Sequence, residues 1–436
     1  MRATPTRRPP TALPPRPSPA HPLAARLARE SVRLQGRRLS PKRGYDSPSE
    51  PSRTEPNVIV TDLPTPSILL DEPTLERNLA RMRERLARLG VGLRPHVKTA
   101  KCREVIAKVG RPGEIGLTVS TLAEAEQFLA AGYTDLVYAV GIAPGKLAEV
   151  AALRRRGADL AVLLDSMDAA RAVADRGANE STPVPALVEI DCDGQRAGIV
   201  PDDPELLAIG RALHDSPGAA LRGVLTHGGG SYGCRSVAAI REMATRERGA
   251  VVAARDRLAD AGLPCPVVSV GSTPTATFGE SFAGVTEVRA GVYMFQDLVM
   301  AGLGVCTLDD IALSVLVAVI GHQPERGWLV TDGGFTALSR DRGTASHAVD
   351  QGLGVVCDLD GRPFPDLDLL VVATSQEHGI VARRDRQPFD LSRFPLGTRL
   401  RVLPNHACAT AAQHSYYHVV DGGREVVERW ERFGGW

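Results

Sequence analysis

Eight short apolar runs, alternating with helical patterns along residues 92–292, restrict this chain more than any other feature. They are GLRPHV (92–97), IGLTV (115–119), LVYAV (136–140), DLAVLL (159–164), ALVEID (186–191), LRGVLTH (221–227), VVSVG (267–271) and EVRAGV (287–292). Near-continuous apolar strands, as opposed to strictly alternating ones, argue for a parallel sheet covered on both faces. Helical patterns such as TLAEAEQFLAAG (121–132) and SVAAIREMATRERGAVVAARDRLADAG (236–262) lie between most of them. The last gap, 272–286, is short and rich in Gly and Thr, so its helix is expected to be small. Eight such units are what a closed barrel needs. An open doubly wound sheet competes, but its glycine-rich fingerprint after the first strand is missing. The expected fold class is α/β, a (β/α)8 TIM-type barrel.

Flanking segments complete the expected organisation. EPTLERNLARMRERLARLG (72–90) is an amphipathic helix, with Leu75, Leu79, Met82, Leu86 and Leu89 at helical spacing and Gly90 at its end. Past Leu303 the pattern becomes β-rich, in DIALSVLVAVIGH, GWLVTDGG, LLVVATSQEHGIV and TRLRVLP. This predicts a barrel domain over 56–303 and a second, mostly β C-terminal domain over 304–436. The strand-like 57–70 stretch precedes the barrel and is a candidate to join the β domain. Residues 1–55 begin with a run rich in Arg, Pro and Ser in which Glu30 is the only acid before Tyr45. Such a segment cannot bury enough surface to order itself. It is read as a disordered tail or a start-site artefact, with a transit segment as the third reading.

Bulk properties exclude several classes. The formal net charge is +1, which offers no signal for nucleic acid or a membrane surface. No apolar run is long enough to span a bilayer. Seven cysteines are scattered without a CxxC pair, which points to a reducing, cytoplasmic setting.

In a barrel, active-site groups sit at the C-terminal ends of the strands. The unusual residues fall there. His96, Lys98 and Lys101 follow the first strand, Thr118 and Ser120 the second, Asp191 and Arg196 the fifth. Thr226, His227 and three glycines (228–230) follow the sixth, GSTPT (271–275) the seventh, and Tyr293 the eighth. A lysine at a strand end is costly unless it is paired, and a Schiff base to an aldehyde cofactor removes that cost. A solvent-exposed loop lysine is the competing reading. The small and hydroxyl residues of GSTPT could cradle a phosphate, as could the glycine-rich THGGGSYG (226–233). Both are also common turns. Arg196 could face a pyridine nitrogen, which it would keep unprotonated; a surface ion pair with Asp191 or Asp193 is the alternative. In PNHACAT (404–410), His406 and Cys408 are two residues apart, which on a strand puts both on one face. Imidazole and thiolate are typical zinc ligands, and two protein ligands leave positions open. Glu377 and His378 of SQEHG are further donors of the right type. A buried cysteine and a satisfied histidine would give the same two letters without a metal.

The assembled motifs carry a resemblance. TPSILLD (65–71), RPHVKTAK (94–101), GLTVSTLAEAE (116–126), EIDCDGQRAG (189–198), THGGGSYGCR (226–235), VGSTPT (270–275), EVRAGVYMFQD (287–297), TDGGFTALSRDRG (331–343), QEHG (376–379) and PNHACAT resemble the D-serine dehydratase and D-threonine aldolase family. These are fold-type III pyridoxal-phosphate enzymes with an alanine racemase-like barrel. The resemblance runs from about Leu63 to the C-terminus. It implies a homodimer with each active site near the subunit interface. It implies that Lys98 carries pyridoxal 5'-phosphate and that Arg196 lies near the pyridine nitrogen. It places Thr226, His227, Tyr232, Gly271, Ser272, Thr273 and Tyr293 around the cofactor. His406 and Cys408 become ligands of Zn2+ or another divalent metal. Two departures stand out: TAK (99–101) where many relatives have Thr-His-Lys, and Gln376 where relatives often carry an acid.

The expected function is that of a lyase on D-3-hydroxyamino acids, D-serine dehydration to pyruvate and ammonia first. Metal-dependent D-threonine aldol cleavage to glycine and an aldehyde is the alternative. The thiolate at Cys408 suits zinc and tilts the reading toward the dehydratase. A non-catalytic pyridoxal-phosphate-binding protein is a further reading, against which the extra β domain and the H-x-C pair speak; an amino-acid racemase is another, but it would not need a metal pair. The expected partner is a small-molecule D-amino acid, with neither nucleic acid nor membrane.

Overall fold

The computed structural model describes residues 58–436, so the segment 1–55 read as a tail lies outside the described residues. A first strand, β1 (Ser67–Asp71), leads into helix α1 (Glu72–Arg88). Each of the eight apolar runs then supplies a strand: β2 (Gly92–Pro95), β3 (Leu117–Val119), β4 (Asp135–Gly141), β5 (Asp159–Leu164), β6 (Val184–Ile190), β7 (Ala219–Thr226), β8 (Val267–Val270) and β9 (Glu287–Ala290). Helices α2 (Arg103–Val109), α3 (Leu122–Ala130), α4 (Leu147–Arg155), α5 (Met167–Asn179), α6 (Pro204–His214), α7 (Val237–Asp260) and α8 (Thr273–Phe278) alternate with them. The last of these is short, as its Gly/Thr-rich sequence predicts. Polar caps start most of the helices. The side chains of Asp71, Thr121, Ser166, Asp203, Ser236 and Ser272 each accept a backbone N–H of the turn they begin, satisfying donors that a helix leaves open.

All pairings in this sheet are parallel, in the order β2-β9-β8-β7-β6-β5-β4-β3. The two ends meet just past β2, where Val97 N–H donates to the Thr118 carbonyl at 2.9 Å and His96 bridges Thr118. The closure thus falls beside Lys98. Inside the barrel a polar chain lies beside an apolar cluster of Val137, Ala161, Leu163, Leu187 and Leu225. Arg94 pairs with Glu287 at 2.6 Å, Ser269 Oγ donates to Glu287 at 2.7 Å, and Arg289 donates to Ser269 Oγ at 2.6 Å and to the Thr226 carbonyl at 2.5 Å. Glu287 and Arg289 are buried, so this pairing is what makes their charges tolerable there.

The second sheet has nine strands. It comprises β10 (Leu313–Gln323), β11 (Trp328–Thr331), β12 (Gly354–Cys357), β13 (Leu369–Thr374), β14 (Gly379–Arg383), β15 (Arg399–Pro404), β16 (Tyr416–Val420), β17 (Val426–Glu431) and β1. The order is β11-β14-β13-β12-β15-β10-β1-β16-β17. The chain therefore begins in the β domain, leaves through α1 to build the barrel, and returns at β10, which pairs antiparallel with β1. Strand β10 is buried from Leu313 to Val319. Its Val315, Val317 and Val319 enter the core of the β domain, while Leu313 joins the core that runs into the barrel. Three short helices, α9 (Leu298–Gly302), α10 (Phe335–Leu338) and α11 (Ala407–Ala411), carry the loops between barrel and sheet. Among the described residues no helix is long and apolar enough to cross a membrane.

Candidate active site

A cavity of about 580 Å³ opens at the C-terminal ends of the barrel strands. Lys98, Arg196, His227 and the Gly271–Thr273 turn line it from the barrel, and Asp341, His406 and Cys408 line it from the loops of the β domain.

Lys98 follows β2 and is exposed to the cavity. The chain has five lysines, four of them among the described residues. Lys101 pairs with Glu124 at 3.1 Å, Lys108 with Glu72 and Glu76, and Lys146 donates to the Tyr138 phenol at 3.0 Å. Lys98 alone of the four has neither an ion pair nor a side-chain hydrogen bond. Lys101 does not reach the cavity lining.

Past β7 and β8, two turns of small residues form one end of the cavity. Gly271 has φ +150°, and a Cβ there would lie 1.8 Å from the Arg289 carbonyl oxygen, so only glycine fits. Ser272 caps α8 and Thr273 opens it. His227 Nδ1 donates to the Gly271 carbonyl at 2.6 Å, which leaves Nε2 as the acceptor. Burial, helped by the cations Lys98, Arg289 and Arg196, pushes this imidazole down to about 3, so it is neutral. The half-buried Tyr232 phenol lies beside Thr273, and loss of water around it raises its pKa.

Two of the residues expected around the cofactor do not line the cavity. Thr226 Oγ1 donates to the Ile190 carbonyl at 2.6 Å, within the strand layer behind the wall. Tyr293 meets this end through its backbone N–H, which donates to Thr273 Oγ1 at 3.2 Å; its phenol is buried without a hydrogen-bond partner. In both, the backbone follows the strand end, but the side chain takes the other direction. Arg196 does reach the cavity. Its ion pair is with Glu189 at 3.1 Å, not with Asp191 or Asp193. Those acids are occupied by loop backbone: Asp191 accepts the N–H groups of Asp193 and Gly194, and Asp193 accepts that of Gly230.

His406 and Cys408 come together for a reason other than strand alternation. His406 is the cap of the short α11 and Cys408 lies in its first turn. The Cys408 thiol donates to Thr99 Oγ1 at 3.3 Å, and the His406 imidazole lies close enough to act on it electrostatically. Asp341 Oδ2 holds His406 Nδ1 at 2.7 Å, which directs the other ring nitrogen away from Asp341. Burial lowers the imidazole, but Asp341 and Cys408 outweigh it and push it up to about 11. Burial likewise raises the thiol, and His406, Lys98 and Thr99 reverse this to a net lowering. The buried Asp297 carboxylate accepts the Ala407 and Met300 N–H groups at 3.0 and 2.9 Å, tying α11 to the barrel end. Glu377 and His378 are not brought here; Glu377 is exposed and accepts from Thr336 Oγ1. Among the described residues no group of three or more His, Cys, Asp or Glu is arranged to hold a metal ion.

Sequence patterning assigns no role to Arg289, Asp297 or Asp341, all of which line the cavity. Arg289 does carry a signal: an arginine two residues from a glutamate inside a barrel strand puts both on one face. Asp297 and Asp341 lie in motifs that identify the family, but nothing in their spacing shows what they hold.

Comparison with known proteins agrees with the fold. Residues 70–298 match the alanine racemase N-terminal domain, and residues 312–420 match a putative serine dehydratase domain. D-threo-3-hydroxyaspartate dehydratase of Delftia sp. (strain HT23) is 52% identical over 379 residues, covering 86% of this chain and 98% of that one. The D-serine dehydratase of Dictyostelium discoideum is 31% identical over 401 residues, 88% of this chain and all (100%) of that one. A solved D-threo-3-hydroxyaspartate dehydratase, a cysteine-to-alanine mutant in the metal-free form, superposes with a TM-score of 0.83 at 51% identity, covering 87% of this chain and 100% of that one. An unpaired lysine at the mouth of a (β/α)8 barrel, a β domain that brings a histidine–cysteine pair to it, and these likenesses together establish that the chain belongs to the alanine racemase-like, fold-type III family of pyridoxal-phosphate-dependent lyases that includes the D-serine dehydratases and D-threonine aldolases.

Proposed function

We propose that this chain is a dehydratase of D-3-hydroxyamino acids that acts on D-threo-3-hydroxyaspartate first and on D-serine more slowly. The observation that carries the reading is the unpaired Lys98 facing the His406–Cys408 pair within one cavity. The sequence by itself points to D-serine; the 52% identity to a hydroxyaspartate dehydratase supports the diacid.

The residues present fit pyridoxal phosphate. Lys98 is free to hold its aldehyde, and the Gly271–Thr273 turn beside the His227–Tyr232 loop offers one end of the cavity for its phosphate. Arg196, which lines the same cavity, would meet the ring. The cationic lining of Lys98, Arg196 and Arg289 suits that phosphate and a second substrate carboxylate. When bound, the cofactor acidifies the substrate Cα–H by drawing off its electrons. Lys98 Nζ, which lines the same cavity, would take that proton. Neutral His227 keeps the Gly271 carbonyl occupied, and Asp297 keeps α11 against the cavity.

The donor set also fits a divalent cation. His406 and Cys408 are zinc-type ligands, and two of them leave positions open. A cation there supplies Lewis acidity toward the β-hydroxyl. The metal-free form of a cysteine mutant of D-threo-3-hydroxyaspartate dehydratase supports Cys408 as a ligand. Asp341 on Nδ1 fixes the tautomer that leaves the other nitrogen free to coordinate. Asp341→Asn is therefore expected to weaken metal binding by about 10–100-fold, read by competition with a chelator; unchanged affinity would remove Asp341 from the site.

Only one configuration at Cα presents its hydrogen to Lys98 while its β-oxygen faces His406 and Cys408, so L-serine should be inert. Product analysis tests the whole reading. Ammonia and a 2-oxo acid should form fastest from D-threo-3-hydroxyaspartate, then from D-serine. Glycine and an aldehyde appearing faster from D-threonine would make this an aldolase instead.

A further inference from the structure

Helix α7 turns one acid into its buried face. The residues it buries are Ile240, Met243, Ala244, Glu247, Val251, Ala254 and Leu258, a helical stripe interrupted by a single carboxyl. Glu247 is 1% exposed and does not line the cavity. A carboxyl in such a stripe is costly unless it is hydrogen-bonded, and this one is. One oxygen, Oε1, accepts the Gly228 N–H at 2.6 Å and the Gly271 N–H at 3.0 Å. The Thr275 side chain, itself hydrogen-bonded to Ser272, lies near enough to stabilise the carboxylate.

Those two glycines belong to different loops. Gly228 follows β7 and Gly271 follows β8, and the two loops line one end of the cavity. Direct ties between them exist, from His227 Nδ1 to the Gly271 carbonyl at 2.6 Å and between Ser231 Oγ and Ser272 Oγ at 2.9 Å. Glu247 adds a bond from behind that neither loop can supply, because both N–H groups converge on one atom. A Cβ at Gly228 would stand 3.1 Å from that atom, so the loop backbone is pressed against it.

We propose that Glu247 is a positioning residue that clamps the 226–233 loop to the 271–275 turn and thereby sets how tightly the site holds the phosphate of its cofactor. The proposal rests on the pyridoxal-phosphate reading of this cavity. The clamp needs an acceptor oxygen at this place, not a charge. Glutamine keeps that oxygen and turns its amide toward Thr275. Aspartate is one methylene short and cannot reach both glycines.

The test compares dissociation constants for pyridoxal phosphate and for pyridoxal, which lacks the phosphate, by absorbance titration of the full-length apoprotein. E247A is expected to weaken pyridoxal phosphate by about 10–100-fold, since two buried N–H groups lose their acceptor, while pyridoxal changes far less. E247Q should stay close to the parent protein. E247D should follow E247A, so the Asp–Gln comparison decides the matter even where the alanine variant does not fold. Equal weakening of both ligands in E247A and E247D marks general damage and overturns the clamp. So does phosphate discrimination that survives in either. A parent protein that fails to prefer pyridoxal phosphate over pyridoxal overturns the cofactor reading itself, and the clamp with it.

Discussion

Lys98→Ala is expected to lower turnover of the D-hydroxyamino acid by more than about 10³-fold. A positioned general base alone is worth about 10²–10⁴-fold, and here the same nitrogen also anchors the cofactor. The protein should remain folded. Lys98 is exposed to the cavity and gives up no ion pair, so the stability change should stay within about 0.5 kcal/mol. Borohydride reduction of the parent protein should fix the cofactor to the peptide containing Lys98. A label on Lys101 or Lys146 would overturn the assignment. Both already have partners, Glu124 and Tyr138, which makes that outcome physically disfavoured.

Cys408→Ala is expected to abolish metal binding and cost about a thousandfold in rate, equivalent to about 4 kcal/mol of transition-state stabilisation. Cofactor binding and folding should survive it. Helix α11 is anchored by Asp297 on the Ala407 N–H and by Thr410 Oγ1 on the Leu338 carbonyl, neither of which involves the thiol. Metal analysis of the purified variant, together with its absorbance spectrum, checks both halves. Undiminished metal in the variant, or full activity of the parent protein after chelation, would rule the pair out as ligands.

Much of this site is legible in the amino-acid sequence. An apolar run between helical stripes is a property of local sequence, and the closed barrel gathers whatever chemistry follows each strand. That is why Lys98, Arg196, His227, Tyr232 and the 271–273 turn meet in one cavity. Side-chain direction at the strand ends is not legible. Thr226 is the last residue of β7 and points to Ile190, and Tyr293 sits in a tight turn that sends its phenol away. One residue of register decides such directions, and nothing in the local pattern encodes it. Glu247 is legible in principle, as the lone acid in a buried helical stripe, but its two partners lie 19 and 24 residues away on separate loops.

The histidine–cysteine pair shows how the two levels divide. Sequence determined that two zinc-type donors stand two residues apart, and that a β-rich segment carries them. Strand alternation is the cause of convergence that this spacing suggests, yet the chain leaves β15 at Pro404 and turns into α11. Their approach is set by the cap geometry of His406, by Asp341 reaching Nδ1 across 65 residues, and by Asp297 pulling in the Ala407 N–H. Likewise, the sequence alone determined eight barrel strands and a β-rich remainder. Only the tertiary structure decided that β1 lies between β10 and β16, since sheet order depends on hydrogen bonds between segments that the whole barrel separates along the chain. That return path is what brings His406 and Cys408 to Lys98. Local periodicity specifies elements; which elements face each other is decided by long-range burial and pairing, and the chemistry here needs both.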